Sequence, residues 1–208
     1  MGSASARKAP ADKHDERRRT LAESALKTLG ELGYARASLR EIANNSDFSH
    51  GVVHYYFEDK HDLIVHCVRE YKAVCVRRYD VVVAASTTTE ELVTGFADQL
   101  VLTLDQDAPM HRLWYDVRTQ SMFDERLRDV TVEIDGWLED MIWRIVSRYA
   151  DLAGGEPAML PSVTYAIFDG LFQQALMNVT LGKAGQSDAL RMLVHELLPT
   201  LIKASPSV

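Results

Sequence analysis

The chain has 208 residues, of which 47% are hydrophobic and 25% are charged. This composition is typical of a folded globular protein, and the length allows one larger domain or a small domain with a medium one. No apolar run approaches the ~20 residues that span a bilayer, and the polar N-terminus has no secretory signal pattern. We therefore expect a cytoplasmic protein with no membrane partner.

Charge is distributed unevenly along the chain. The formal net charge is −7, which by itself argues against a nucleic-acid-binding protein. Residues 1–40, however, contain nine Lys or Arg and five Asp or Glu, whereas residues 61–208 contain 13 basic and 21 acidic residues. An acidic body would repel phosphate and a basic N-terminal end would attract it, so the asymmetry favours a DNA-binding protein with one DNA-facing end.

The N-terminal region is predicted to be a basic tail followed by a helix. Residues 1–14 are small, polar and basic, and we expect them to be disordered, either along a DNA backbone or as a solvated tail. A first helix is predicted from Asp15 to Leu32, with Gly33 as its C-terminal stop. Arg17 and Arg18 lie in its first turn, where the helix dipole disfavours cations. This placement indicates a nearby phosphate or, alternatively, an unrelated solvated charge run.

Two short helices joined by a tight turn are predicted between Ser38 and Tyr56. Ser38 and Glu41 have the S-x-x-E spacing of a capping box, which begins the first helix. The polar run 44–47 breaks the helical period, and Ser49 is a favourable N-cap for a helix from His50 to Tyr56. The arrangement predicts a helix-turn-helix motif with the second helix as the recognition helix.

The surface of this recognition helix is unusual for a purely structural element. Val53 and Phe57 can face inward with Phe48, which leaves aromatic and imidazole side chains outside, where lysine or glutamate is usual. Such donors and flat rings suit phosphate oxygens, sugar faces and thymine methyl groups. The alternative is that the residues at the end of the helix merely pack on the following helix: His54, Tyr55 and Tyr56.

The segment from Arg17 to Leu63 resembles the DNA-binding domain of the tetracycline-repressor (TetR) family of bacterial regulators. The resemblance is carried by Ser38, Ile42, Ala43, Ser49, Gly51, His54, Tyr56, Phe57, Lys60 and Leu63. Asp47 stands where the family usually has Gly, although Asp can adopt the same backbone conformation, and His54 replaces the usual Tyr. The resemblance implies that Lys60, at the start of the fourth helix, contacts a backbone phosphate.

We accordingly predict a double-stranded DNA operator as a partner. The residues expected to contact it are Arg17, Arg18, Ser38, Arg40, Ser49, His50, Gly51, Val52, His54, Tyr55, Tyr56 and Lys60. Phosphate contacts would position the head, and the exposed side chains of the recognition helix would read the base edges.

The rest of the chain is predicted to be helical throughout. The expected helices are 60–79, 87–104, 107–120, 124–149, 161–181 and 186–203, with a loop at 154–157. About nine helices and no strand of useful length predict an all-α fold, which is also the architecture that the resemblance implies. We assign residues 15–59 to a helix-turn-helix domain and residues 60–208 to an effector-binding and dimerisation domain.

The two cysteines, Cys67 and Cys75, are both on the predicted fourth helix. Eight residues along a helix correspond to ~12 Å, which is too far for a disulfide within the chain. We expect both to be small apolar side chains, and a redox sensor is the alternative.

The last two helices carry apolar residues around more of their circumference than packing against the rest of one chain requires. The resemblance implies that two such helices from each subunit form a four-helix dimer interface. Two recognition helices on a two-fold axis would also read half-sites ~34–36 Å apart, whereas a monomer would bind one short half-site weakly. The residues predicted at this homodimer interface are Ile167, Leu171, Leu190, Val194, Leu197 and Leu201.

Aromatic, sulfur-containing and amide side chains concentrate in the larger domain and predict a cavity for a small, largely apolar effector. The predicted lining residues are Met110, Trp114, Met122, Phe123, Trp137, Met141, Phe168, Phe172, Gln173 and Met177. The alternative for each of them is a place in the ordinary hydrophobic core. The segment from Arg112 to Asp129 also resembles the sensor domain of the choline-responsive repressors in the family, which does not by itself identify the ligand.

The function predicted is that of a ligand-responsive transcriptional regulator that binds a palindromic operator as a dimer. The family's usual mode implies repression that an effector releases, and an activator or a regulator without a small ligand are the alternatives. An effector would act by favouring another separation of the two heads, with the fourth helix as the lever.

Other classes of protein find less support in the sequence. There is no Gly-rich phosphate loop, nucleophile elbow or H-E-x-x-H motif, so we expect neither an enzyme nor a cofactor. His50 and His54 have metal-chelating spacing, but Glu58 is the one carboxylate at a useful distance, so no metal is predicted. A helical adaptor that binds proteins through its head is the second rival.

Overall fold

The computed structural model describes residues 10–204, without the side chains of residues 10–13 and 15. Within this range the fold is all-α, as predicted. Eight α-helices follow one another as α1 (Pro10–Arg36), α2 (Leu39–Asn44), α3 (His50–Tyr56), α4 (Lys60–Ala85), α5 (Thr89–Gln120), α6 (Arg128–Ala153), α7 (Pro161–Thr180) and α8 (Gln186–Leu197). Two short strands, β1 (Gly155–Pro157) and β2 (Ile202–Ala204), pair antiparallel.

Helix α1 begins earlier than predicted and is interrupted where its end was expected. It starts at Pro10, so residues 10–14 of the predicted tail are helical, while residues 1–9 lie outside the described part. Gly33 has φ 74° and ψ 174°, a conformation that side chains other than glycine rarely adopt. The stop predicted at Gly33 is therefore present as a sharp break before the last turn of α1.

Helix α5 replaces two predicted helices. It runs unbroken for 32 residues with Pro109 inside it, where a second helix was expected to begin. Thr88 and Glu91 form a complete capping box at its start. A Cβ atom at Gly30 of α1 would lie only 2.8 Å from the Pro109 Cβ atom, so Gly30 permits α1 and α5 to approach closely at this point.

The C-terminal end also differs from the prediction. Helix α8 ends at Leu197 rather than near Lys203, and a 3-10 turn (Leu198–Leu201) containing Pro199 follows it. Strand β2 then pairs with β1, in the segment that was predicted to be a loop. Asp124, the predicted start of the long helix, instead caps a 3-10 turn (Glu125–Leu127) that precedes α6.

Two connected cores hold the molecule together. Helices α1 to α3 and the start of α4 surround Leu21, Ile42, Val53, Phe57 and Leu63, all of which are buried. In the larger part of the molecule, α5 packs against α1, α4, α6, α7 and α8. We call residues 10–59 the head and residues 60–204 the body, and α1 and α4 both connect the two.

Candidate nucleic-acid interface and effector cavity

The helix-turn-helix motif is built by the capping residues identified in the sequence. The Ser38 hydroxyl accepts a hydrogen bond from the Glu41 N–H (3.2 Å), and the Ser49 hydroxyl accepts one from the Val52 N–H (3.4 Å). The Glu41 carboxylate accepts a bond from the Ser38 hydroxyl (2.9 Å). No non-glycine residue between 10 and 204 has a positive φ, so Asp47 does not use the left-handed conformation that is open to Asp.

The recognition helix α3 presents the face that its sequence predicted. Val53 is buried, and Phe57 follows the helix as a buried C-cap residue. Tyr55 is 73% exposed, and the three residues that begin the helix, His50, Gly51 and Val52, are exposed as well. A Cβ atom at Gly51 would meet nothing within 4 Å, so a ligand can approach the backbone there.

The rings at the end of α3 pack mainly on one another. Tyr55 and Tyr56 make an edge contact with centroids 5.0 Å apart, and the rings of His50 and His54 lie 4.4 Å apart. Tyr56 is half-buried against the core, while His54 and Tyr55 remain exposed. The Tyr56 ring also lies 4.8 Å from the His14 ring of α1, so Tyr56 packs more closely against the rest of the head than its neighbours do.

The basic residues of the predicted DNA-binding set have different environments. Arg17 and Arg40 are exposed. Arg18 is half-buried, with its Nη2 atom 2.7 Å from Asp62 and its guanidinium 4.8 Å from the centre of the Phe57 ring. This ion pair holds α1 against α4 and is formed by one of the guanidinium nitrogens, so the contact of Arg18 with DNA stays a prediction.

Lys60 is also engaged by the protein. Its Nζ atom donates a hydrogen bond to the Tyr34 carbonyl oxygen (3.0 Å) and lies 4.6 Å from the centre of the Tyr34 ring. The side chain is half-buried. An ammonium group has three donors, so one contact to a phosphate remains compatible with this geometry.

Metal binding and cysteine redox chemistry gain no support from these residues. Within residues 10–204, no group of three or more His, Cys, Asp or Glu side chains is arranged to hold a metal ion. Cys67 and Cys75 are free and buried. Burial raises the pKa of both thiols, which disfavours the reactive thiolate, so they fit the role of small apolar side chains.

Polar contacts of Tyr34 with Asp116 and of Asp59 with Arg126, here called the joint, connect the head to the body and were not predicted. The Tyr34 N–H donates a 2.7 Å hydrogen bond to the Asp116 carboxylate of α5, and the break at Gly33 brings the chain to this position. Asp59, the N-cap of α4, forms an ion pair with Arg126 (3.4 Å). Hydrogen bonds from Arg126 lower the pKa of the neighbouring Asp124 carboxyl to about 2, which keeps it ionised.

A cavity of about 50 Å³ lies in the body among α4, α5, α6 and α7. Apolar and aromatic side chains make most of its wall, with a few polar groups among them. The lining residues are Lys72, Cys75, Tyr79, Leu100, Thr103, His111, Trp114, Tyr115, Leu138, Met141, Ile142, Tyr165, Phe168, Asp169 and Phe172. The predicted residues Trp114, Met141, Phe168 and Phe172 are thus brought together.

The other six residues predicted to line the cavity lie elsewhere. Met122 and Phe123 follow the end of α5 and are exposed, because the turn there points away from the body. Met110 and Trp137 are half-buried against the core. Gln173 and Met177 line a shallow groove on the outer side of α7 with Arg112 and Leu181. These six predictions are corrected, since helical position decided which side chains turn inward.

The most unusual cavity residue, Lys72, was missed from the sequence. Its side chain is buried, and its Nζ atom lies 3.1 Å from the His111 Nδ1 atom and 5.3 Å from the centre of the Trp114 ring. Burial lowers the pKa of Lys72 to about 8 and lowers the pKa of His111 well below its ordinary value. His111 is therefore neutral at pH 7, while Lys72 is still mostly protonated.

A charged network forms the wall next to Lys72. Arg118 Nη1 lies 2.6 Å from Asp169 Oδ2, and Arg118 Nε lies 3.3 Å from Asp135 Oδ2. The Tyr115 hydroxyl donates to Asp169 (2.9 Å), and the Tyr165 hydroxyl donates to Asp135 (2.6 Å). The network joins α5, α6 and α7, and burial raises the pKa of both tyrosines, so they remain hydrogen-bond donors.

The predicted dimer residues divide into two groups. Leu190 and Val194 on the inward face of α8, and Leu201 in the 3-10 turn after it, are buried in the chain's own core, so they are corrected as interface residues. Ile167, Leu171 and Leu197 are half-buried. Other apolar residues of α7 and α8 are exposed instead: Val163, Met177, Val179, Met192 and Leu193.

The fold and the exposed recognition helix are those of a helix-turn-helix transcription regulator with a helical body. A family model for tetR-family bacterial regulatory proteins matches residues 21–67, and a model for the C-terminal part of BetI-type transcriptional repressors matches residues 89–200. The chain belongs to the TetR family of bacterial regulators. No curated protein sequence matches it significantly.

Solved structures with low sequence identity share the fold. A regulator of Saccharomonospora viridis in complex with choline is 19% identical with a TM-score of 0.74, over 90% of this chain and 98% of that chain. A TetR regulator of Haloarcula marismortui is 18% identical with a TM-score of 0.74, over 91% and 100%. Bacillus subtilis FadR in complex with stearoyl-CoA is 16% identical with a TM-score of 0.66, over 90% and 99%.

Among residues 10–204, no helix combines the length and apolar composition that crossing a bilayer requires.

Proposed function

We propose that this TetR-family regulator binds a palindromic operator as a homodimer and represses transcription until a small effector enters the body. The observation that carries the proposal is the face of α3, where His50, Val52, His54 and Tyr55 are exposed around Gly51. Few soluble surfaces combine these groups without a partner, and they suit phosphates, sugars and base edges. The protein has no catalytic role in this proposal.

The experiment that tests DNA binding is a gel-shift titration with the DNA that flanks the protein's own gene, at several salt concentrations. Phosphate contacts release counterions, so the affinity is expected to fall steeply as salt increases. A head that binds proteins instead would show little dependence on salt. Absence of binding at low salt would contradict the proposed operator function.

Tyr55→Ala is expected to weaken operator binding by about 1–3 kcal/mol and to change the preference among operator variants. Tyr55 is 73% exposed, so its removal leaves the fold intact. Phe123→Ala is the matched control, because Phe123 is an exposed aromatic residue of the body. Unchanged affinity and discrimination in Tyr55→Ala would remove Tyr55 from the base-reading set.

The dimer proposal rests on the exposed apolar residues of α7 and α8. Leu193→Glu is expected to convert the dimer to a monomer in light scattering and to reduce operator binding, because a charge cannot be buried unpaired in an apolar interface. Val132→Glu is the control, since Val132 is an exposed apolar residue of α6. A Leu193→Glu protein that remains dimeric would place the interface elsewhere.

The effector is proposed to act by linkage between the cavity and the separation of the two heads. An effector weakens DNA binding if it binds more tightly to the conformation whose head separation does not match the operator. The loss of DNA-binding free energy equals the difference in effector binding free energy between the two conformations, typically ~1–3 kcal/mol. Trp114 is fully buried, so Trp114→Phe is a better probe of effector response than Trp114→Ala. An activator, or a regulator without a small ligand, is the alternative that a reporter-gene assay would reveal.

A further inference from the structure

Three side chains at the cavity have hydrogen-bond donors with no matching acceptor among the described residues. Lys72 has three N–H donors, and the structure gives its Nζ atom one partner, His111 Nδ1. Because the ammonium can only donate, His111 Nδ1 accepts and the ring proton is on Nε2. The His111 Nε2 atom and the Trp114 Nε1 atom are both buried without a partner. Unmatched buried donors are costly, so the site favours a ligand that supplies an acceptor.

The nearest carboxylates are held by other groups. Asp169 is bound by Arg118 (2.6 Å) and by the Tyr115 hydroxyl (2.9 Å). Asp135 is bound by Arg118 (3.3 Å) and by the Tyr165 hydroxyl (2.6 Å). Within residues 10–204, no carboxylate forms an ion pair with Lys72, although the two aspartates balance the formal charges of Arg118 and Lys72 at longer range.

We propose that the cavity binds a short aliphatic monocarboxylate, with Lys72, His111 and Trp114 as donors to the carboxylate group and the apolar wall around the alkyl chain. This inference rests on the proposed function and deepens it, because it gives the chemical class of the effector. A carboxylate has about four lone-pair sites for hydrogen bonds, which suits N–H donors from three residues that line the same cavity.

A cationic effector fits the cavity less well. The position over the Trp114 ring, which would attract a quaternary ammonium group, is already taken by the Lys72 ammonium at 5.3 Å. A second cation would meet like charge at short range in a site of low dielectric. Asp169 also cannot turn toward such a cation without leaving Arg118 and Tyr115.

The size of the cavity limits the length of the ligand. A cavity of about 150 Å³ accommodates benzene, and the cavity here measures about 50 Å³. The smallest carboxylates suit this space best, whereas butyrate has six heavy atoms, as many as benzene, and requires the cavity to expand. Longer chains require Met141 or another flexible wall residue to move.

The protonation of Lys72 gives the binding a definite pH dependence. A carboxylate favours the charged ammonium, and the fraction of charged Lys72 falls as the pH rises through its pKa of about 8. Affinity is therefore expected to decline above pH 8. The titratable and charged groups that face Lys72 are Tyr71 and Cys75 of α4, His111 and Arg118 of α5, Asp135 of α6 and Asp169 of α7.

The test is isothermal titration calorimetry on the full chain without DNA, at constant ionic strength. Sodium butyrate is the probe, and butyramide, choline chloride and sodium chloride are the comparison ligands. Saturable binding of butyrate, with affinity that falls above pH 8, is expected. Butyramide has nearly the same shape without the charge, so it is expected to bind at least about tenfold more weakly.

Two variants assign the binding to the cavity. Lys72→Met keeps the length of the side chain and is expected to weaken butyrate binding at least about tenfold, whereas Lys183→Met, at an exposed lysine of the body, leaves it unchanged. Should Lys72→Met fail to fold by circular dichroism, Trp114→Phe replaces it, since it removes one donor and keeps a ring. That variant is expected to bind butyrate several-fold more weakly.

The inference is overturned if butyramide, choline or chloride binds as tightly as butyrate, if no saturable butyrate binding occurs, or if Lys72→Met and Trp114→Phe both bind butyrate normally. These results are independent of DNA, so they leave the proposed operator function standing. Conversely, absence of gel shifts with intact butyrate binding would contradict the operator function alone.

Discussion

Phe57→Ala is expected to abolish operator binding and to unfold the head at a lower temperature than the body. Phe57 is 1% exposed, and its ring is contacted by the Arg18 guanidinium and by the His66 ring. Truncation of a buried phenylalanine costs about 3–5 kcal/mol. Helix α3 has only seven residues and is not stable alone, so it depends on the burial of Val53 and Phe57.

Thermal unfolding followed by circular dichroism would show the effect as a separate early transition, and gel shifts would show the loss of DNA binding. Phe57→Leu is the matched variant, because it keeps most of the buried apolar volume and is expected to cost much less. A Phe57→Ala protein with normal operator affinity would show that α3 is held by other contacts.

Arg118→Met is expected to lower the free energy of unfolding by about 3 kcal/mol, since it leaves two carboxylates without their cation. Its guanidinium bridges Asp169 and Asp135, which belong to α7 and α6. The side chains of these three residues are at most about one-third exposed, so solvent compensates only part of the loss. The ion pairs that hold α6 and α7 to α5 at the cavity would also be lost, so the affinity for butyrate is expected to fall.

Urea unfolding of both proteins measures the difference in stability. Arg128→Met is the control, because Arg128 forms an exposed ion pair with Glu125, and such pairs contribute about 0–1 kcal/mol. Equal free energies of unfolding for Arg118→Met and the wild-type protein would mean that water solvates the two carboxylates as well as the Arg118 guanidinium does.

The head was predictable because its structure is specified locally. Ser38 and Ser49 cap their helices where the pattern placed them, and Val53 is buried as its spacing indicated. Each of these features depends on residues within one or two helical turns, which a single sequence displays directly. The same reasoning found the break at Gly33.

The cavity and the joint were harder to predict because they depend on contacts between distant segments. Lys72 looks like an ordinary surface lysine in sequence, and only the packing of α5 against α4 buries it beside His111. Pro109 was taken as a helix start, although the glycine at position 30 gives it room within α5. Leu190 and Val194 belong to a wide apolar face of α8. The spacing of its residues could not show which of them pack into the chain's own core and which face outward.

Helix α5 carries consecutive residues into two different parts of the molecule. Tyr115 lines the cavity, and Asp116 holds the backbone of Tyr34 at the end of the head's first helix. A small rotation of α5 about its own axis would therefore move both side chains at the same time. Helix α4 remains the predicted lever, and α5 offers a second connection, because one peptide bond joins the cavity residue Tyr115 to Asp116.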